Sequence, residues 1–178
     1  QIVTALQTIS SRSIGPTDPV IVTVGRISGG SANNVIPTVV ELDGTIRTIN
    51  ADTRRRSRER FYQIVEQTAA AMGCHAEIDW HEGYPVTYND QALTEHVLGL
   101  ARDVLGGERV EMVEHPTLGG EDFSYYGRHV PACFFMLGLL PPGADPAAVP
   151  KLHQAEFDFN DDAIPTGVEM MCRLALAE

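Results

Sequence analysis

Positive charge is scarce in this 178-residue chain: 13 Lys and Arg stand against 24 Asp and Glu, a formal net charge of −11. Nucleic acids and anionic membrane surfaces are bound through clustered Lys and Arg, so neither is expected as a partner. The one basic run, Arg54-Arg55-Arg56 with Arg58 and Arg60, shares a helical stretch with Glu59 and reads as a solvated helix face. Cysteine is sparse as well. Cys74, Cys133 and Cys172 are odd in number and far apart, with no Cys-x-x-Cys pair. That argues against a disulfide framework or a thiolate zinc site and fits a reducing cytoplasm. No run approaches the ~18 to 20 apolar residues of a membrane span. His-Glu-x-x-His, Gly-x-Ser-x-Gly and a Walker-type loop are all missing, and residues 25–31 lack the Lys that a phosphate loop needs. No complete active site is legible.

What remains is ordinary for a soluble globular protein, with 43% apolar and 21% charged residues. A chain of this length can bury roughly 70% of its unfolded surface. Gln1 is not an initiator Met and already lies in a helical pattern (Ile2, Leu6, Ile9), so the chain is expected to be the C-terminal part of a longer protein. After Pro16 and Pro19, residues 20–24 read as a strand and 27–34 as a Gly- and Ser-rich loop. Over 38–49 the sequence alternates, with Val40, Leu42, Ile46 and Thr48 on one face and Glu41, Asp43, Thr45 and Arg47 on the other. Asp43-Gly44 could be a hairpin turn, but alternation runs through it, which favours one strand with a bulge at Gly44.

A helix over about 52–72 carries the stripe Phe61, Ile64, Val65, Thr68 and Met72, with Gly73 as its C-terminal cap. Ala76, Ile78 and Trp80 suggest a third strand. With one more strand before Gln1, this order gives the split βαββαβ unit of a ferredoxin-like sandwich. Gly83, Tyr84, Pro85 and Asn89 mark a break in composition. Beyond it come a helix capped by Asn89 or Asp90 and ending at Gly106-Gly107, and a strand suggested by Val110 and Met112. A strand over 132–140, buried on both faces, then precedes a Pro-rich loop over 141–150. A last helix begins near Asp161, with Ile164, Val168, Met171, Cys172 and Ala175 on its apolar side. This second half reads as the strand-helix part of a larger α/β domain.

Three segments stand out in order. They are Gly29-Gly30-Ser31-Ala32-Asn33-Asn34-Val35-Ile36-Pro37 with Gly44-Thr45-Ile46-Arg47; Gly119-Gly120-Glu121-Asp122-Phe123-Ser124; and Leu152-His153 followed by Phe157, Asp158 and Asp161-Asp162. Together they resemble the amidohydrolase branch of the zinc aminoacylase and carboxypeptidase family, which includes hippurate hydrolases and hydrolases of auxin–amino acid conjugates. The resemblance runs along essentially the whole chain. It implies an α+β or α/β architecture. Residues 1–82 would form a ferredoxin-like lid, the dimerisation domain, lacking its first strand. Residues 83–178 would be the C-terminal segment of the catalytic domain.

The resemblance further implies a small-molecule N-acyl amino acid substrate, a homodimer, and two divalent metal ions in the intact enzyme. Zinc is the usual metal; manganese, nickel or cobalt also occur. His153 matches the family's late histidine ligand, whereas a loop histidine by itself is ordinarily just exposed. Asn34, otherwise a turn residue, would help hold substrate across the dimer. Arg47 would take the substrate carboxylate, against the plainer reading of an ion pair with Glu41 or Asp43. Gly119, Gly120, Glu121 and Asp122 would shape the pocket, and the general base, a Glu, would lie upstream of Gln1. No catalytic residue is therefore assigned here, and the isolated chain is expected to hydrolyse nothing. A ferredoxin-like interaction module without catalysis, or a degenerate scaffold, is the alternative, but such a module has no use for the loop at 119–123 or for His153.

Overall fold

The structure is a computed structural model that describes residues 1–177. The chain is α+β and divides into two compact units. The first comprises Gln1–Val86 with His115–Ser124, and the second Thr87–Glu114 with residues from Tyr125 onward.

In the first unit α1 (Ile2–Leu6) passes through a π-helical turn (Ile9–Ser13) into β1 (Val20–Gly29), which pairs antiparallel with β2 (Val40–Thr48). α2 (Ala51–Ala71) then crosses back. Leu6, Ile9, Ile14, Val20, Ile64 and Val65 are buried together, and Val22, Val24, Ile46, Phe61, Ala76 and Ile78 pack around them. Alternation explains the contribution of β1. Val20, Val22 and Val24 turn inward while Ile21 and Thr23 turn out. β2 is one continuous strand, as its alternation predicts, but the bulge is not at Gly44. Val24 pairs with Gly44 and Arg26 with Asp43, so the extra residue is Gly25, on β1. Because β1 absorbs the insertion, the alternation of β2 passes through Gly44 unbroken. Gly44 is needed for another reason: a Cβ there would be driven into the carbonyl oxygen of Thr23. β1 also continues to Gly29, into what reads as a Gly- and Ser-rich loop, because cross-strand pairing with Val40 to Asp43 holds it extended.

Asn50 caps α2 by accepting from the Thr53 N–H at 2.7 Å. At the other end Gly73 has φ +71°, and Cys74 and Gly73 donate to the carbonyls of Ala69 and Ala70, a Schellman closure. The buried face of α2 runs Thr53, Ser57, Ile64, Val65 and Ala69, with small residues over its first turns. Met72 belongs to that stripe by sequence, but it follows the last helical turn and is 62% exposed. The basic run is more than a solvated face. Arg54 and Arg58 both reach Glu82 at 2.8 Å, and Arg58 lies 5.3 Å from the centre of the Trp80 ring. Residues 76–80 bury alternate side chains, as a strand would, but among the described residues they pair with no other strand.

In the second unit α3 (Gln91–Leu105) is capped by Asp90, whose side chain accepts from the Leu93 N–H at 2.9 Å. Gly106, at φ +88°, ends it. The buried apolar residues of this unit are Val97, Ala101, Ala132, Ala163 and Met170. Residues 132–140 form no ladder. Instead the Asn89 side chain acts as a surrogate strand, donating to the Phe134 carbonyl and accepting from its N–H, both at 2.8 Å. Phe135, Met136, Leu137 and Leu140 are exposed, contrary to the expected burial on both faces. Val110 and Met112 likewise lie outside any ladder.

α4 (Ile164–Leu176) is apolar on two sides. Ala163, just before it, and Met170 are buried, and a Cβ on Gly167 would lie 3.1 Å from Leu137. The stripe expected to face the core, including Ile164, Val168 and Met171, is the exposed side. An element apolar on both sides needs a layer against each, and within this unit only one side is covered.

Two stability predictions follow from this packing. Gly44→Ala should lower unfolding free energy by about 2 kcal/mol. Gly25→Ala, whose Cβ would meet nothing within 4 Å, should change it by under about 0.5 kcal/mol. Urea titration of the pair checks this, and equal losses would count against the bulge assignment. Asn89→Ala removes both bonds to Phe134 and should lose about 1 to 2 kcal/mol in the same measurement.

Candidate substrate-binding residues and His153

Arg47 stands on β2 opposite Ile21, on the face that also carries Glu41 and Asp43. It does not pair with either acid. Arg26, carried to that face just beyond the bulge, takes them instead, at 2.5 Å from Asp43 and 3.9 Å from Glu41. The plainer reading of Arg47 therefore fails on geometry. Among the described residues no carboxylate lies within salt-bridge distance of its guanidinium. Arg47 Nη1 donates instead to the backbone carbonyl of Leu118 at 2.8 Å, at the mouth of the Gly-Gly-Glu-Asp segment.

That segment is shaped by its own short bonds. The Glu121 carboxylate accepts from the Phe123 N–H at 3.2 Å, and its backbone carbonyl accepts from the Ser124 hydroxyl at 2.5 Å. These bonds open a 3-10 turn, Asp122–Arg128, and Ser124 is buried at its start. Gly120 lies against Tyr84: a Cβ at Gly120 would be 3.1 Å from the ring. Arg54 holds the strip bearing that ring by donating to the carbonyls of Gly83 and Tyr84 at 3.0 Å. The sequence marks Tyr84 only as part of a composition break; its contact with Gly120 joins residues 36 positions apart and carries no local signal. The role of Arg26 is hidden in the same way, because the strand read from sequence stops at Val24 and the register beyond it exists only in the fold.

The structure thus brings together Arg47 and the loop of Gly119, Gly120, Glu121 and Asp122. Asn34 lies on the exposed connection between β1 and β2, and no hydrogen bond ties it to Arg47 or to that loop. His153 belongs to the second unit. It is exposed, and it is the one non-glycine among the described residues with positive φ, +71°. Histidine adopts this conformation more readily than most residues, but it is uncommon and costs energy, and such positions cluster at functional sites. A short turn holds it, with Gln154 accepting from the Lys151 N–H at 2.5 Å and donating its own N–H to the Lys151 carbonyl at 3.1 Å. Among the described residues no three His, Cys, Asp or Glu side chains gather as a metal site. His153 offers one donor where zinc takes three or four from protein, so these residues alone do not fit a metal centre.

The comparison with known families decides the kinship. Residues 6–177 match the model of peptidase family M20/M25/M40. The chain belongs to that family. Within M20, it is 41% identical over 139 residues to the N-acetyl-L-cysteine deacetylase of Bacillus subtilis (strain 168), covering 78% of this chain and 32% of that protein. It is 35% identical over 170 residues to the N-acetyldiaminopimelate deacetylase of Geobacillus sp. (strain WCH70), covering 96% and 43%. It is 33% identical over 179 residues to the IAA-amino acid hydrolase ILR1-like 4 of Arabidopsis thaliana, covering 98% and 40%. A putative aminohydrolase from methicillin-resistant Staphylococcus aureus superposes with a TM-score of 0.83 at 27% identity, over 98% of this chain and 44% of its own. The YXEP protein of Bacillus subtilis, described as a dinuclear metal binding peptidase from the M20 family, superposes at 0.75 and 27%, over 98% and 43%. The M20 chain described here thus spans less than half the length of these relatives.

With no cluster of three donors among the described residues, this polypeptide by itself should bind zinc weakly, with a dissociation constant of about 10 μM or higher. Isothermal titration checks this; a tight stoichiometric metal pair in the chain alone would contradict it.

Proposed function

We propose that this chain is part of a metal-dependent amidohydrolase that cleaves the amide bond of N-acyl amino acids. The observation that carries the reading is Arg47. The two acids on its face of β2 lie too far along the strand to reach it and pair with Arg26, and Arg47 bonds a carbonyl beside the Gly-Gly-Glu-Asp loop. A guanidinium in that condition suits the free carboxylate that an N-acyl amino acid presents. The relatives give the reaction class: two are named as deacetylases and one as a hydrolase of amino-acid conjugates.

In this reading residues 1–82 act as the lid and residues 83–178 as the C-terminal segment of the catalytic domain. Arg47 and Asn34 hold the acid end of the substrate, and Gly119, Gly120, Glu121 and Asp122 line its pocket. His153 supplies one ligand to a pair of divalent ions, zinc first among the candidates. The remaining ligands and the general base come from sequence upstream of Gln1, so the chain by itself is inactive. The YXEP protein's description as dinuclear supports two metals. The covered-on-one-side α4 and the exposed apolar segment at 135–140 support a larger catalytic domain around the second unit. Exposed Ile27, Val40 and Leu42 on the hairpin support a homodimer formed through the lid. No helix of the described residues is long and apolar enough to cross a membrane, and we assign the enzyme to the cytoplasm.

Native mass spectrometry of the full-length gene product, with hydrolysis of a panel of N-acetyl and N-aroyl amino acids, tests this. A dimer with two metals per subunit and turnover of at least one substrate is expected. A metal-free, inactive species would instead mark an interaction module or a scaffold. Arg47→Ala should raise KM at least about tenfold for carboxylate-bearing substrates.

A further inference from the structure

We propose that Arg47 is also the positioning residue of the 117–122 loop, setting its place with the same guanidinium it offers to the substrate acid. This rests on the reading of that loop as pocket lining. The base of Arg47 is firm, because its neighbours Ile46 and Thr48 are half-buried on the core face of β2. Its tip makes one bond, to the Leu118 carbonyl at 2.8 Å. A guanidinium carries five N–H groups in a fixed fork, so one bond to the loop leaves donors for a carboxylate.

The loop has a second support. Tyr84 packs on Gly120, and the strip of chain bearing Tyr84 is itself held by Arg54. The two supports fall on either side of Gly119, which has no side chain of its own to hold it, and a Cβ there would meet only Thr117 Oγ, at 3.8 Å. Downstream, Glu121 and Ser124 close the 3-10 turn independently of Arg47. Removing Arg47 therefore frees the segment around Leu118 and Gly119 while leaving the turn in place. Here the acid end of the substrate and the loop beside it are joined through one side chain.

The test uses the full-length protein with Arg47→Ala and Arg47→Lys. Two readouts are compared: native-state cleavage by chymotrypsin after Leu118, located by mass spectrometry, and kinetics on an N-acetyl amino acid and on the matching N-acetyl amine that lacks the carboxylate. In Arg47→Ala, cleavage after Leu118 should quicken about tenfold with the thermal midpoint near that of the wild type. kcat should fall for the carboxylate-free substrate as well. Arg47→Lys, which can still donate to the Leu118 carbonyl, should restore slow cleavage without restoring KM for the acid substrate. Unchanged cleavage in Arg47→Ala, or full turnover of the carboxylate-free substrate, would overturn the proposal. If the wild type turns over neither substrate, the pocket reading falls, and the cleavage measurement still decides whether Arg47 holds the loop.

Discussion

In the ladder between β1 and β2, one residue on β1 has no partner, and that insertion at Gly25 governs what the first unit can present. Before it, Val20, Val22 and Val24 face the core that α1 and α2 complete. Beyond it, Arg26 is carried to the face shared by Glu41 and Asp43. Had the register continued without the bulge, side-chain period two would place residue 26 on the opposite face. The bulge thus does two things through one extra residue: it ends the buried part of the hairpin and it turns Arg26 onto the two acids.

The arginine of the candidate site is a different one. Exposed ion pairs contribute little to stability, so Arg26 on Asp43 matters little as a stabilising contact. Arg47 lies too far along β2 to meet those acids and bonds a backbone carbonyl, so its charge remains available. The tether of Arg54 to Gly83 and Tyr84 has an indirect effect, because it fixes the ring on which Gly120 rests. Both are long-range contacts made by arginines whose local sequence suggests only a charged strand or a charged helix face.

The second unit shows the other side of the same physics. Apolar segments that read as core in sequence, 132–140 and the Ile164 to Ala175 stripe of α4, stand exposed on at least one side. Their apolar character was read correctly, but burial needs a partner layer, and within this unit none is present on that side. Asn89 makes up part of the deficit by bonding both backbone groups of Phe134, an arrangement that a strand neighbour would otherwise supply.

Sequence alone determined what depends on neighbouring residues: the helices, with their caps at Asp90 and Gly73, and the continuous alternation of β2. It also determined the family, since the motifs around Asn34, Arg47, Gly119-Gly120-Glu121-Asp122 and His153 occur in a recognisable order. Only the tertiary structure decided which strand carries the bulge, which arginine meets the acids, and that Tyr84 sits under Gly120. It also decided that 76–80 and 132–140 are extended without being laddered. The reason lies in the range of the interactions. Caps and periodicity act within a turn or two of chain, whereas register, ion-pair choice and ring packing join residues many positions apart and exist only once the elements have met.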